Sequence, residues 1–124
     1  MPKKILLIDD EPAICLFTKR NLERTGEYKV TTASSGEEGL EKATATRFDL
    51  VITDYRMPGL DGKAVLDRLK AMDPQSLVVL FSIYHDDASK MTREILCKAD
   101  GIIGKPIDSE QLLKTIQDAL ARSS

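Results

Sequence analysis

Residues 48–62 read FDLVITDYRMPGLDG: a short apolar run, Leu50 to Ile52, that ends on Asp54 and is followed by a proline and two glycines. Desolvating a carboxylate at the end of a buried strand is costly unless something pairs with it. The fold must therefore bring Asp54 a partner from elsewhere in the chain.

Three more short apolar runs resemble this one: Ile5 to Ile8, Leu77 to Phe81, and Gly101 to Ile103. Each is aliphatic and bounded by polar or turn residues, the pattern of strands buried on both faces of a parallel sheet. A fifth, Tyr28 to Ala33, alternates apolar and polar residues as an edge strand does. Between them lie segments of helical spacing. Ile14, Phe17, Thr18 and Leu22 share one face, with Pro12 opening that helix and Gly26 closing it. Ser35 is placed to cap the next, with Glu37 and Glu38 in its first turn and Leu40 and Ala43 inward. Val65, Leu66 and Leu69 mark a third helix between Gly62 and Pro74, and Met91, Ile95 and Leu96 a fourth. Asp108 and Gln111 resemble a capping box ahead of Leu112, Leu113, Ile116 and Leu120. Five alternations of strand and helix predict an α/β fold, a parallel sheet covered on both faces through right-handed crossovers.

A chain of 124 residues suits one domain, so residues 1–124 are expected to form a single unit. The tail ARSS reads as a frayed end or the cut end of a longer protein. With 18 basic and 20 acidic residues, the charge balance argues against nucleic acid or an anionic membrane as the main partner. No apolar stretch approaches the roughly 20 residues of a membrane span, and a cytoplasmic location is expected. Cys15 and Cys97 have no neighbouring His and no CxxC spacing, so two free, buried thiols are expected.

In an open α/β sheet, ligands bind beyond the carboxyl ends of the strands. There the sequence places Asp9, Asp10 and Glu11 after the first strand, Asp54 after the third, Ser82 after the fourth, and Lys105-Pro106 after the fifth. Carboxylates gathered at one edge repel unless a cation intervenes. An all-oxygen donor set with no His or Cys nearby favours a hard ion, Mg²⁺. Lys105 and Ser82 suit the oxygens of a phosphoryl group, and Asp54 suits in-line attack on phosphorus. Taken singly, each residue has a plainer reading: the Asp pair as a helix cap region, Asp54 and Lys-Pro as turn residues, Ser82 as an ordinary hydroxyl. Their conjunction at ordered strand ends selects the site.

With these residues in view, the chain from Lys4 to about Leu120 resembles the receiver domain of two-component response regulators, the chemotaxis regulators included. The resemblance is carried by Asp9-Asp10, by Asp54 with Met57, Pro58, Asp61 and Gly62 in DYRMPGLDG, by Ser82, and by Lys105-Pro106. It implies a flavodoxin-like three-layer sandwich with strand order 2-1-3-4-5. It implies that Asp54 accepts a phosphoryl group from a sensor histidine kinase or phosphotransfer protein. Mg²⁺ would be held by Asp10 and Asp54, by Asp9 through water, and by the backbone carbonyl of Arg56. Ser82 and Lys105 would contact the phosphoryl oxygens, and the Lys105-Pro106 bond would be cis. Output would pass through a surface of the fourth helix, fifth strand and fifth helix, which is also a candidate homodimer face. The implied domain acts on its own phosphorylation rather than on an external substrate, and it does not itself bind nucleic acid.

Three positions depart from the family pattern. Ile83 follows the hydroxyl residue where Ala or Gly is usual, so small phosphodonors are expected to exchange slowly, or the loop to be shifted. Ile102 replaces the usual switch aromatic, a role that Tyr84 is a candidate to take over. Arg56 reads equally as an exposed charge or as a group reaching across the mouth of the site. Two other readings compete: an aspartyl-phosphate phosphohydrolase, which would want a carboxylate where Arg56 stands, and a receiver-like module that no longer cycles phosphate.

Overall fold

A computed structural model describes residues 2–83 and 93–122. In chain order the elements are β1 (Lys3–Ile8), α1 (Pro12–Glu23), β2 (Tyr28–Ala33), α2 (Gly36–Ala45), β3 (Leu50–Asp54), α3 (Gly62–Met72), β4 (Val78–Ile83), α4 (Arg93–Lys98), β5 (Gly101–Lys105) and α5 (Ser109–Arg122). All strand pairs are parallel and the order is β2-β1-β3-β4-β5. This is the flavodoxin-like arrangement, with Tyr28–Ala33 at one edge as its alternation predicted.

The period of two in each strand divides the core into two layers. Ile5, Leu7, Leu50, Ile52, Val79, Phe81 and Ile103 pack with Leu22 of α1 and Leu112, Ile116 and Ala119 of α5. Leu6, Ile8, Val51, Val78 and Leu80 pack with Val65, Leu66 and Leu69 of α3 and Ile95 of α4. Each fully buried Leu, Ile or Phe contributes about 1.5–3 kcal/mol, which is why the central strands carry almost no polar residue before their last position.

Local signals fix the helix ends. Ser35 accepts a hydrogen bond from the Glu38 N–H at 3.1 Å, and Asp61 accepts from Ala64 N–H at 3.0 Å, so both side chains cap. Pro12 occupies the first turn of α1, and Gly26, at φ +76°, turns the chain after it. At α5, Asp108 accepts from the N–H of Glu110, one residue short of the capping-box position.

Some expectations about helix faces are corrected. Phe17 is 42% exposed, because α1 turns Thr18 and Leu22 inward with Ile14 and Cys15 beside them, leaving Phe17 at the margin. On α4, Ile95 is buried, while Leu96 and Cys97, roughly 100° and 200° around the helix, are exposed; both cysteines are free thiols, but neither is fully buried, Cys15 being half-buried and Cys97 exposed. Ala119 rather than Leu113 is the third fully buried residue of α5. Met91 and Tyr84 lie outside the described residues, as does the side chain of Ile83. No helix among the described residues is long and apolar enough to cross a membrane.

Candidate functional site

The alternation that builds the core also builds the site. Counting in twos from Ile5 and Leu7 reaches Asp9, from Leu50 and Ile52 reaches Asp54, and from Ile103 reaches Lys105, so all three continue the α1/α5 layer at the strands' carboxyl edge. Register aligns them: Ile8 pairs with Thr53, Asp54 with Phe81, and Ile83 with Lys105. The Lys105 ammonium consequently lies 3.1 Å from Asp54 Oδ2 and 3.2 Å from Asp9 Oδ2, and 5.9 Å from the centre of the Phe81 ring. Asp54 thus receives the partner its burial demands.

The floor of the site is buried. The side chains of Asp9, Asp54 and Lys105 are 0%, 7% and 11% exposed. Burial, reinforced by the neighbouring charge of Asp9, pushes Asp54 up to about 6, against the opposing pull of Lys105 and a hydrogen bond from the Arg56 N–H. Asp9 is also raised, chiefly by burial, although the Glu11 N–H donates to its Oδ1 at 2.9 Å and Lys105 attracts it. Burial alone would lower Lys105, but its hydrogen bonds and attraction to Asp54 and Asp9 hold it above the usual lysine range.

Asp10 and Glu11 form an exposed rim above this floor. One oxygen from each of Asp9, Asp10, Glu11 and Asp54 lies within 4.8 Å of the others. Glu11, which the sequence placed at the strand end without a role, is also an ion-pair partner of Lys105 at 3.5 Å. The signal was present in the run DDEP, but a helix-opening Glu gives no indication of which way it turns. Cys15 sits beneath, its thiol donating to the Asp9 carbonyl at 3.4 Å; burial and the surrounding carboxylates push it up to about 11, so it stays protonated.

Ser82 is buried at the same edge, opposite Gly104, but its parity sets it on the α2/α3/α4 side of the sheet. Ile102 packs half-buried on that same side. The Lys105-Pro106 bond is cis, with Pro106 exposed. Arg56 is exposed, with its N–H on the Asp54 carboxylate. Met57 is buried against the second core layer. Gly62 has no room for a side chain: a Cβ there would stand 2.5 Å from the Asp54 carbonyl oxygen and 2.6 Å from the Tyr55 Cα. This close approach lets the loop of residues 55–61 return directly to α3.

Comparison with known proteins agrees with this arrangement. The sequence profile of the response regulator receiver domain matches residues 5–117. The nitrate/nitrite response regulator protein NarL of Escherichia coli is 34% identical over 97% of this chain and 56% of its own length. The alkaline phosphatase synthesis transcriptional regulatory protein PhoP of Bacillus subtilis is 35% identical over 99% of this chain and 50% of its own. The chain thus spans about half the length of these curated relatives. Among solved structures, a response regulator receiver domain protein from Clostridium thermocellum superposes with a TM-score of 0.88 at 35% identity, covering 97% of this chain and 95% of that one. The response regulator TrrA of Thermotoga maritima, solved in complex with Mg²⁺-BeF, gives 0.84 at 31% identity, covering 94% and 98%. The chain belongs to the response regulator receiver domain family and is a signalling domain of the two-component type.

Proposed function

We propose that this receiver domain accepts a phosphoryl group on Asp54 from a phosphohistidine of a sensor histidine kinase or phosphotransfer protein. An Asp54 carboxylate oxygen forms the bond to phosphorus as the P–N bond breaks, and the imidazole keeps the electron pair and takes up a proton. The observation that carries this reading is the Lys105 ammonium 3.1 Å from Asp54 and 3.2 Å from Asp9 at the carboxyl edge of the sheet. An Asp54 held near 6 is mostly ionised at neutral pH, and the fixed cation beside it is suited to the charge that gathers on the transferring group.

The donor set fits Mg²⁺: four carboxylate oxygens, one from each of Asp9, Asp10, Glu11 and Asp54, lie within 4.8 Å of one another, an all-oxygen set that suits a hard ion. In this reading Asp9, Asp10, Asp54 and the Arg56 carbonyl hold the ion. When bound, Mg²⁺ neutralises the equatorial oxygens of the phosphoryl group. Lys105 and Ser82 then contact those oxygens, and the charge change biases a two-state surface made by α4, β5 and α5, the face through which a partner or a second copy docks. Ile102 leaves β5 without an aromatic switch, and Ile83 slows small phosphodonors.

The test is intact-mass analysis after incubation with acetyl phosphate and Mg²⁺. One phosphoryl adduct on the wild type and none on Asp54→Asn is expected; equal adducts on both would overturn the assignment.

A further inference from the structure

We infer that Glu11 is a fourth carboxylate of the divalent-cation site, a rim charge that raises its affinity; this rests on the Mg²⁺ reading above. Glu11 stands at the N-cap of α1, where a short polar side chain ordinarily accepts from the first free N–H groups. It makes no such bond. Its backbone N–H is instead tied to Asp9 Oδ1 at 2.9 Å, and its carboxylate, although 60% exposed, turns to the Lys105 ammonium at 3.5 Å. That ammonium is a cation the protein itself supplies, and Asp9, Asp54 and Glu11 all converge on it. Together with Asp10 they bring four oxygens within 4.8 Å. Two of the four are buried and two exposed, so the floor pays desolvation for its geometry while Glu11 adds attraction at little such cost.

A Mg²⁺ titration of chelator-stripped protein, followed by amide chemical shifts, tests the inference on wild type, Glu11→Gln, Glu11→Asp and a control, Glu41→Gln, an exposed acid of α2. A unit charge about 5 Å from a divalent ion in water, screened by 0.1 M salt, is worth about fivefold in affinity. Glu11→Gln is expected to weaken Mg²⁺ binding by about that factor, with partial recovery in Glu11→Asp and no change in Glu41→Gln. Wild-type binding with Glu11→Gln indistinguishable from Glu41→Gln would overturn the role of Glu11 alone. Absence of binding by the wild type would overturn the Mg²⁺ reading itself.

Discussion

Asp54 is more strained by its burial than stabilised by its partners, and replacing it should make the metal-free protein more stable. Its folded value of about 6 lies above the 3.8 of a free carboxyl. Between those values the folded state holds a proton that the unfolded state has lost, so stability falls as pH rises from about 3.8 through 6 and is level above it. At about 1.4 kcal/mol per unit, the penalty at pH 7.5 is about 3 kcal/mol. With the side chain 7% exposed, solvent screening relieves little of it. Asp54→Asn removes the charge; Lys105 keeps Asp9 and Glu11 as partners. Urea unfolding followed by circular dichroism, in chelator, should show the variant more stable by about 1–3 kcal/mol at pH 7.5. The difference should shrink towards zero below about pH 4. A variant no more stable than wild type at pH 7.5, or a gain unchanged at low pH, would refute the reasoning.

Lys105→Met removes the cation that opposes the rise of Asp54, so the Asp54 midpoint should climb by about 1–3 units; carboxyl ¹³C shifts in metal-free protein would follow it, and an unmoved midpoint counts against the pairing. Gly62→Ala forces a Cβ to within 2.5 Å of backbone and should cost about 1–3 kcal/mol in urea unfolding, whereas wild-type stability would mean that the loop yields. Thr18 Oγ1 is buried with no hydrogen-bond partner among the described residues, so Thr18→Val should gain about 1 kcal/mol; a loss in thermal or urea unfolding would show that the hydroxyl is bonded in solution.

The strands were legible because each is short, aliphatic and bounded by polar residues, and the parallel sheet follows from their alternation with helices. Register was not legible, yet the meeting of Asp9, Asp54 and Lys105 depends on it: the strands must end level and in the same parity for Lys105 to reach both acids. Helix faces were read less well. Phe17 and Leu96 fit an apolar stripe by spacing, but a helix of two to three turns against a sheet buries only its central line, here Thr18 and Leu22 or Ile95. Cys97 was expected to be buried from its residue type alone, which says nothing of the face of α4 it occupies. Ser35 and the edge strand Tyr28–Ala33 were read from local chemistry and hold as expected, whereas the cap that Asp61 supplies to α3 was not read from the sequence. Glu11 went unassigned because its role depends on a lysine 94 positions later in the chain.

The claim that Asp54 is the phosphoacceptor is tested most directly by trapping the acyl phosphate. After incubation with acetyl phosphate and Mg²⁺, borohydride reduction converts a phosphorylated aspartate to homoserine, and peptide mass mapping locates it. The account predicts homoserine at position 54 only. Reduction at Asp9, Asp10 or Glu11, with Asp54 intact, would contradict it.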